Sequence, residues 1–265
     1  MGVVNVTPDS FSDGGLYLDV DAAVAHGEEL LGEGAAILDV GGESTRPGAA
    51  PVDEATELER VIPVIERLAP ATVSVDTRKA AVAEAAIQAG ARIVNDVSAF
   101  RHDPAMVGVV VSAGAGCCLM HMLGDDPRTM QDDPVYEDVV SEVKAFLEER
   151  LGLAVSEGVR EEKVWLDPGI GFGKTLDHNL ELLRRLDEIV AIGRPVVIGS
   201  SRKSFLGKLT GREPRDRVAG TIATNVIALE RGASIFRVHD VAASVDALKV
   251  AAATLSGQWT RTPTT

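Results

Sequence analysis

The sequence contains eight short apolar runs, and each carries at or near its end a polar residue suited to binding a ligand. In chain order the runs are MGVVNV, AAILDVGG, TVSVDT, RIVNDV, CCLMH, VWLDPG, PVVIGSSRK and IFRVHD. Helical periodicity lies between most of them, which predicts an α/β fold, a TIM (β/α)8 barrel. Because the strands of such a barrel point their carboxyl ends at one mouth, these scattered polar residues are expected to share one site.

Length and composition fit a single barrel domain. The chain has 265 residues, 45% of them hydrophobic and 4% aromatic, as expected of aliphatic side chains layered inside a barrel. We expect the domain to span 1–257 and 258–265 to be a frayed tail. Apolar positions at helical spacing around Pro63 predict one bent helix, and those from Val139 to Leu147 predict another.

Charge and cysteine usage exclude several classes of protein. A net charge of −14 argues against a nucleic-acid surface, because phosphate backbones need clustered Lys and Arg. No run approaches the roughly 20 apolar residues that a membrane helix needs. No cationic region followed by an apolar stretch opens the sequence, so we expect no secretory leader. Cys117 and Cys118 are adjacent in an apolar strand, so their side chains point to opposite faces and no disulfide is expected. We therefore expect a cytoplasmic protein.

Long polar segments follow three of the runs. The segments 7–19 and 42–53 are rich in Gly, Pro, Ser and Asp, and we expect them to be mobile loops that close over the site. The third, MLGDDPRTMQDDP, follows His121 and is either a lid or a surface excursion. We favour the surface excursion, and we expect His121 itself to be a packed structural residue.

Residues 169–175, GIGFGKT, are similar to a phosphate-binding P-loop. That motif needs a glycine where Pro168 stands, and proline has no amide hydrogen and cannot take a positive φ. We therefore favour an interpretation in which Asp167 projects from a strand end and the glycines let the backbone approach a flat ligand. A generic tight turn is the alternative.

Seven blocks of sequence occur in the order in which dihydropteroate synthases carry them. They are MGVVNVTPDSFSDGG, DVGGESTRPGA, VSVDTRK, IVNDVSAF, LDPGIGFGK, SRKSFLG and FRVHDV, and they cover nearly the whole chain. The chain thus resembles that family. The resemblance implies condensation of 6-hydroxymethyl-7,8-dihydropterin pyrophosphate with 4-aminobenzoate, giving 7,8-dihydropteroate for folate synthesis. It also implies inhibition by sulfonamides and a homodimer, with helices after strands six and seven as candidates for the interface.

The resemblance assigns a pterin site to strand ends. Its residues are Asp76, Asn95, Asp167, Lys203 and Arg237. A carboxylate such as Asp167 facing two parallel N–H groups of an aminopyrimidine makes a charge-assisted, bidentate contact. Lys203 is expected to donate to the carbonyl side of the pterin, and Arg237 to lie against the ring face. The structural alternative for each residue is an ion pair, such as Asp76 with Arg78.

The pyrophosphate needs cations and amide donors rather than an acid–base pair. By resemblance its residues are Asn5, Arg46, Arg237 and His239. Asn5 is also the expected protein ligand of a Mg²⁺ ion that bridges phosphate oxygens and keeps several waters. The residues expected to act in catalysis are Arg46, Lys203, Arg237 and His239.

The 4-aminobenzoate site completes the prediction. Its expected lining is Phe11, Thr45, Pro47, Phe172 and Ser204. Ser204 begins the helix after strand seven, where free amide hydrogens favour a carboxylate, or it is a helix cap. An aromatic amine is unprotonated near neutral pH and needs no general base, so we infer that pyrophosphate leaves first and the amine then captures a pterin cation.

Two alternatives remain from the residues. A pterin-binding methyltransferase has a similar barrel but does not need Arg237 with His239 to bind pyrophosphate. A non-catalytic pterin-binding paralogue does not need anion-binding residues at all. Release of pyrophosphate on mixing both substrates with Mg²⁺ separates the three.

Overall fold

Eight parallel strands follow one another along the chain of the computed structural model, which describes residues 1–7, 20–44, 49–126 and 128–258. Each strand coincides with one of the eight apolar runs. They are β1 (Gly2–Asn5), β2 (Leu38–Gly41), β3 (Val73–Asp76), β4 (Ile93–Asp96), β5 (Gly116–Met120), β6 (Val164–Asp167), β7 (Val197–Ile198) and β8 (Ile235–Phe236).

Helices alternate with the strands and cover the outside of the sheet. Those described are α1 (Val20–Gly32), α2 (Glu54–Leu68), α3 (Ala80–Gln88), α4 (Met106–Ala113), α5 (Val139–Ser156), α6 (Leu176–Arg184), α7 (Leu186–Val190), α8 (Ser204–Thr210), α9 (Val218–Glu230) and α10 (Val241–Ser256). Helix α2 runs unbroken through Pro63, because its buried residues Val61, Val64 and Ile65 continue the apolar stripe on both sides. The prediction of one helix through Pro63 is confirmed, as is that of the helix from Val139, and the bend at Pro63 stays a prediction.

Backbone hydrogen bonds close the strands into a barrel. β1 to β6 form one parallel sheet in sequence order, and β7 pairs with β8. Two single bridges join these sheets, Leu166 with Val196 and Gly2 with Val238. At the second bridge the Val3 amide donates to the Val238 carbonyl at 3.1 Å. The predicted TIM barrel is confirmed.

The core between the strands and the surrounding helices is built from aliphatic side chains. Val4, Leu38, Val75, Leu119 and Leu166 are fully buried there, in one cluster with helix residues such as Leu30 and Ile65. The two cysteines are free and buried, as expected, and burial raises the pKa of the Cys117 thiol to about 12.

Strand register places three predicted site residues and Gly41 in one row across the sheet. Asn5 pairs with Gly41, Gly41 with Asp76, and Asp76 with Asn95. Residues in register on parallel strands point to the same face, so this row presents its side chains together at the carboxyl ends of β1 to β4. Within the described residues, no helix is long and apolar enough to cross a membrane.

Candidate active site

Arg237 joins two carboxylates from different strands at the barrel mouth. Its Nε donates to Asp39 Oδ2 at 2.6 Å, and its Nη2 donates to Asp76 Oδ2 at 2.8 Å. Asn95 Nδ2 donates to the same Asp39 oxygen at 3.1 Å. The ends of β2, β3, β4 and β8 therefore meet in one hydrogen-bonded cluster. The alternative ion pair of Asp76 with Arg78 is wrong, since Arg78 pairs with Glu43 at 3.3 Å.

Burial sets the charges of this cluster. Desolvation raises the pKa of Asp76 to about 7, Arg237 opposes the rise, and the neighbouring Asp39 carboxylate adds to it. Burial alone would lower the pKa of Arg237, but Asp39 and Asp76 outweigh it and the pKa is raised. The guanidinium is therefore a permanent cation, whereas Asp76 exchanges a proton near neutral pH.

Asp167 and Lys203 meet Arg237 around Gly199, the residue that follows β7. A Cβ placed on Gly199 would lie 3.9 Å from Asp167 Oδ2, 3.9 Å from Lys203 Nζ and 4.0 Å from Arg237 Cβ. The absence of a side chain at Gly199 thus leaves space between three groups expected to bind the pterin. Burial raises the pKa of the Asp167 carboxyl, which Lys203 and a hydrogen bond from the Gly169 amide oppose.

Lys203 links this cluster to the expected aminobenzoate site. Its Nζ donates to the Ile170 carbonyl and lies 4.5 Å from the centroid of the Phe172 ring. Burial lowers the pKa of Lys203 to about 8, Asp167 opposes the change, and Arg237 reinforces it. The structure therefore places Phe172 beside the pterin residues.

The loop after β6, residues 167–174, is fixed by a hydrogen bond within it and by close packing against residues 121–123. Asp167 Oδ1 accepts a hydrogen bond from the Gly169 amide at 2.7 Å. Gly169 has a φ of +67°, and a Cβ there would overlap the His121 carbonyl oxygen. A Cβ on Gly173 would overlap Leu123 Cβ. The neighbouring chain therefore requires glycine at positions 169 and 173. A Cβ on Gly171 would instead lie 3.0 Å from Lys203 Cδ, so the approach of a ligand to the backbone stays a prediction there.

We expect Gly169→Ala to destabilise the fold by about 3 to 5 kcal/mol, since it adds a backbone clash to the strain of a left-handed residue. Gly211→Ala is the matched control, because Gly211 has a φ of +69° and a Cβ added there would meet no atom within 4 Å. The control should lose only about 1 kcal/mol. Urea unfolding of both variants measures the difference, and equal losses would contradict the clash.

Lys174 is not a phosphate ligand of the P-loop kind. Its amine lies 2.9 Å from His121 Nδ1 and donates to the Phe172 carbonyl at 3.0 Å. The Lys174 side chain is buried, so it is not presented to a bound phosphate as a P-loop lysine is. His121 is a packed residue, as expected.

The segment after β5 packs against the 167–174 loop. Gln131 Nε2 donates to the Gly171 carbonyl, and the Tyr136 hydroxyl donates to the Gly173 carbonyl at 2.8 Å. Met130 belongs to a buried cluster against which Phe172 packs. Gly124, Asp125, Thr129, Asp132 and Asp133 are exposed, so the segment runs over the surface as expected, but Met130 and Gln131 anchor it on this loop.

The remaining site residues lie on the rim. The Ser201 hydroxyl lies 3.2 Å from the backbone nitrogen of His239, which donates to it, and 3.0 Å from His239 Nδ1, so the loops after β7 and β8 are joined there. Asn5 ends β1 in the same row as Asp76. Ser204 is exposed, and α8 has Lys203 at its N-cap position with no side-chain cap bond, so the alternative role of Ser204 as a cap is wrong.

Some predicted residues lie outside the described part of the chain. They are Phe11, Thr45, Arg46 and Pro47, together with the tail residues 259–265. Within the described residues, no group of three or more His, Cys, Asp or Glu side chains is placed to hold a metal ion.

Asp39, the polar residue of the run AAILDVGG, is a member of the site to which the sequence assigns no role. The structure places it at the centre of the cluster, with its side chain fully buried and its Oδ1 lacking a hydrogen-bond partner among the described residues. A charged residue inside the apolar run AAILDVGG was the available signal, because an aspartate is rarely fully buried without a partner.

The chain is similar in sequence and structure to known proteins. A family model described as pterin binding enzyme matches residues 1–239. The dihydropteroate synthase of Mycobacterium leprae is 51% identical, over 96% of this chain and 93% of that protein. The Xanthomonas albilineans enzyme with 4-aminobenzoic acid is 50% identical with a TM-score of 0.90, over 96% and 92% of the two chains. The Yersinia pestis enzyme with a sulfonamide drug complex is 43% identical with a TM-score of 0.91, over 97% and 93%.

Proposed function

This chain belongs to the pterin-binding enzyme family, among its dihydropteroate synthases, and on that premise we propose that it joins 6-hydroxymethyl-7,8-dihydropterin pyrophosphate to 4-aminobenzoate. The products are 7,8-dihydropteroate and pyrophosphate. The observation that supports this best is the convergence of Asp167, Lys203 and Arg237 on the side-chain-free position at Gly199. A planar heterocycle with donors on one edge and a carbonyl on the other fits between such groups.

In this proposal Asp167 accepts from the aminopyrimidine edge and Lys203 donates to the carbonyl side. Asp167 is buried and already pinned through one oxygen to the Gly169 amide, so its other oxygen is oriented without further loss of freedom. Asp76 and Asn95 contribute from the adjacent strands. Arg237, held at both Nε and Nη2, presents a fixed guanidinium plane to the ring.

The placement of acceptor oxygens supports a dissociative displacement. The carboxyl groups of Asp39, Asp76 and Asp167 lie around the cations Lys203 and Arg237 in this cluster. Acceptor oxygens fixed beside the pterin stabilise positive charge that develops on it. The carbon–oxygen bond breaks with both electrons going to pyrophosphate. The amine nitrogen of 4-aminobenzoate then bonds to the methylene carbon and releases a proton to water.

The departing pyrophosphate requires the rim residues. We assign it to His239, Arg237 and Asn5, with Arg46 from the second loop. Ser201 fixes the His239 ring at 3.0 Å, so one imidazole edge is oriented. Mg²⁺ fits this arrangement as a companion of the pyrophosphate, because the Asn5 amide oxygen offers one hard ligand and phosphate and water must supply the rest. The ion would neutralise charge on the leaving group.

The aminobenzoate would bind toward Phe172, with its carboxylate near Ser204 and with Phe11, Thr45 and Pro47 completing the slot. Phe172 is half-buried against a methionine-rich cluster and beside Lys203, so it offers a fixed apolar surface next to the pterin. A sulfonamide would occupy the same slot.

We also propose a homodimer and a reducing, cytoplasmic setting. Leu209, Ile227 and Val250 are large apolar side chains exposed on α8, α9 and α10. Exposed apolar groups on neighbouring helices favour burial against a second copy. The free, buried thiols of Cys117 and Cys118 agree with a reducing compartment.

The test is incubation of the protein with the pterin pyrophosphate, labelled 4-aminobenzoate and Mg²⁺. We expect one pyrophosphate for each labelled dihydropteroate, and a normal secondary isotope effect when the pterin methylene carries deuterium. Methyl transfer, or binding without turnover, would contradict the proposed function. Turnover with an isotope effect near unity would contradict the dissociative step alone.

A further inference from the structure

We propose that His121 and Lys174 form a clamp that sets the position of Phe172 relative to Asp167, and so the spacing between the two substrates. The inference rests on the proposed function. Lys174 is only 3% exposed and His121 only 6%. Both therefore act as positioning residues, through the loop of residues 167–174.

His121 holds both ends of this loop. Its backbone amide donates to the Asp167 carbonyl at 2.9 Å, at the first residue of the loop. Its Nδ1 lies 2.9 Å from the Lys174 amine, at the last residue. The same amine donates to the Phe172 carbonyl at 3.0 Å. One residue at the end of β5 thus connects the start of the loop, its end and its aromatic residue.

The His121 ring is itself fixed. It packs edge-on against Phe146 of α5, with ring centroids 4.9 Å apart. Burial lowers the pKa of His121 to about 2, and Lys174 and Arg101 add to the effect. The imidazole is therefore neutral, and in the tautomer that carries its proton on Nε2 the Nδ1 accepts from the lysine amine.

The surroundings of Lys174 indicate that its amine positions the loop and does not form an ion pair. Among the described residues, no carboxylate oxygen lies within 4.0 Å of its amine, so its partners are a neutral ring and a carbonyl. Burial lowers the pKa of Lys174 well below its usual range, and Asp167 opposes the change. A buried amine without an ion pair adds little to stability, and an apolar side chain of similar volume is tolerated at such places.

The clamp affects the two substrate sites unequally. Asp167 belongs to β6 and is held by the sheet, where Met120 is its register partner. Phe172 lies within the loop, and its backbone is held by its amide to Gly169 and by Lys174. Loss of the clamp therefore moves Phe172 more than Asp167. Aminobenzoate binding should suffer while pterin binding is preserved.

The variant Lys174→Met tests this. We expect the KM for 4-aminobenzoate to rise about tenfold, the change that loss of one strong hydrogen bond produces. Affinity for the pterin pyrophosphate should stay within about threefold, and the Tm should not fall. His121→Leu should raise the same KM, and His121→Gln should partly restore it because the amide oxygen can accept from Lys174. The double variant His121→Leu with Lys174→Met should be no worse than either single change.

Lys163→Met is the matched control. Lys163 precedes the opposite end of β6 and likewise donates to a carbonyl, that of Gly114, so the chemical change is the same at the far end of the strand. A wild-type KM for aminobenzoate in Lys174→Met, or equal losses for both substrates, would overturn the clamp. Absence of turnover in the unmodified protein would instead overturn the proposed function.

Discussion

Replacing Arg237 by methionine is expected to lower kcat/KM about a thousandfold and to destabilise the fold by about 3 to 5 kcal/mol at pH 8. The guanidinium donates to Asp39 at 2.6 Å and to Asp76 at 2.8 Å. Its removal takes the hydrogen-bonded cation away from two neighbouring carboxyl groups, of which that of Asp39 is fully buried. Steady-state kinetics and urea unfolding measure the two losses separately.

The stability loss should depend on pH in a defined direction. The pKa of Asp76 is already raised to about 7 although Arg237 opposes the rise, so removing Arg237 raises it further. A carboxyl group whose folded pKa exceeds its unfolded value contributes stability that is present at low pH and lost as the pH rises through the folded pKa. The deficit of Arg237→Met should therefore be small at pH 5 and grow towards pH 8.

Two further variants isolate the cause. Arg231→Met removes an exposed arginine that pairs loosely with Asp187 at 3.9 Å, and it should change neither quantity appreciably. Adding Asp39→Asn to Arg237→Met removes one of the two uncompensated charges. This double variant should regain stability at pH 8 without regaining turnover. A deficit that is independent of pH would show that packing, not charge, explains the loss.

The fold could be predicted because each buried strand has a recognisable pattern in a short stretch of sequence. An apolar run such as TVSVDT combines aliphatic residues for the core between strands and helices with a polar residue at the mouth, and both are visible within six positions. The structure has a strand at every such run. The convergence of the strand ends then follows from the closed topology, which needs no knowledge of individual contacts.

The partners within the site could not be predicted in the same way. Arg237 bonds to Asp76, 161 positions away, and to Asp39, 198 positions away. From local sequence alone, Arg78 is an equally good partner for Asp76. Asp76 pairs with Arg237 because closure of the barrel between β8 and β1 brings Arg237 across the mouth. For the same reason Asp39 received no role from sequence, although it is the common acceptor of Arg237 and Asn95.

The loop after β6 shows a different limit. A glycine that admits a ligand and a glycine that admits a neighbouring strand look identical in sequence. At Gly169 the neighbour is the His121 carbonyl, 48 residues earlier in the chain. The hydrogen bonds from Gln131 and Tyr136 to the same loop are equally non-local. Local sequence therefore cannot show that Gly169 and Gly173 are required by the neighbouring chain, whereas Gly171 faces Lys203.

Asp167→Asn is expected to weaken pterin pyrophosphate binding about a thousandfold, because an amide NH2 would face the donors of the aminopyrimidine and the charge would be lost. The free protein should remain stable. Burial raises the pKa of Asp167, so the ionised carboxylate is unfavourable in the folded state at neutral pH and its removal offsets the lost hydrogen bond. The same change removes a negative charge beside Lys203, which limits the stability that is recovered. We expect a Tm within about 4 °C of the unmodified protein.

Asp96→Asn is the informative counterpart, because Asp96 is equally buried at the end of β4 but serves the fold. Its carboxylate accepts from the Ser98 amide at 2.7 Å, the Ser98 hydroxyl at 2.7 Å and the Phe100 amide at 2.9 Å. An asparagine leaves one of these donors facing an NH2 group, so stability should fall by about 1 to 3 kcal/mol while pterin affinity changes little. Calorimetric binding and thermal unfolding of both variants should therefore give opposite patterns. The same pattern in both would mean that Asp167 is structural, and the pterin would then have to be bound by other groups.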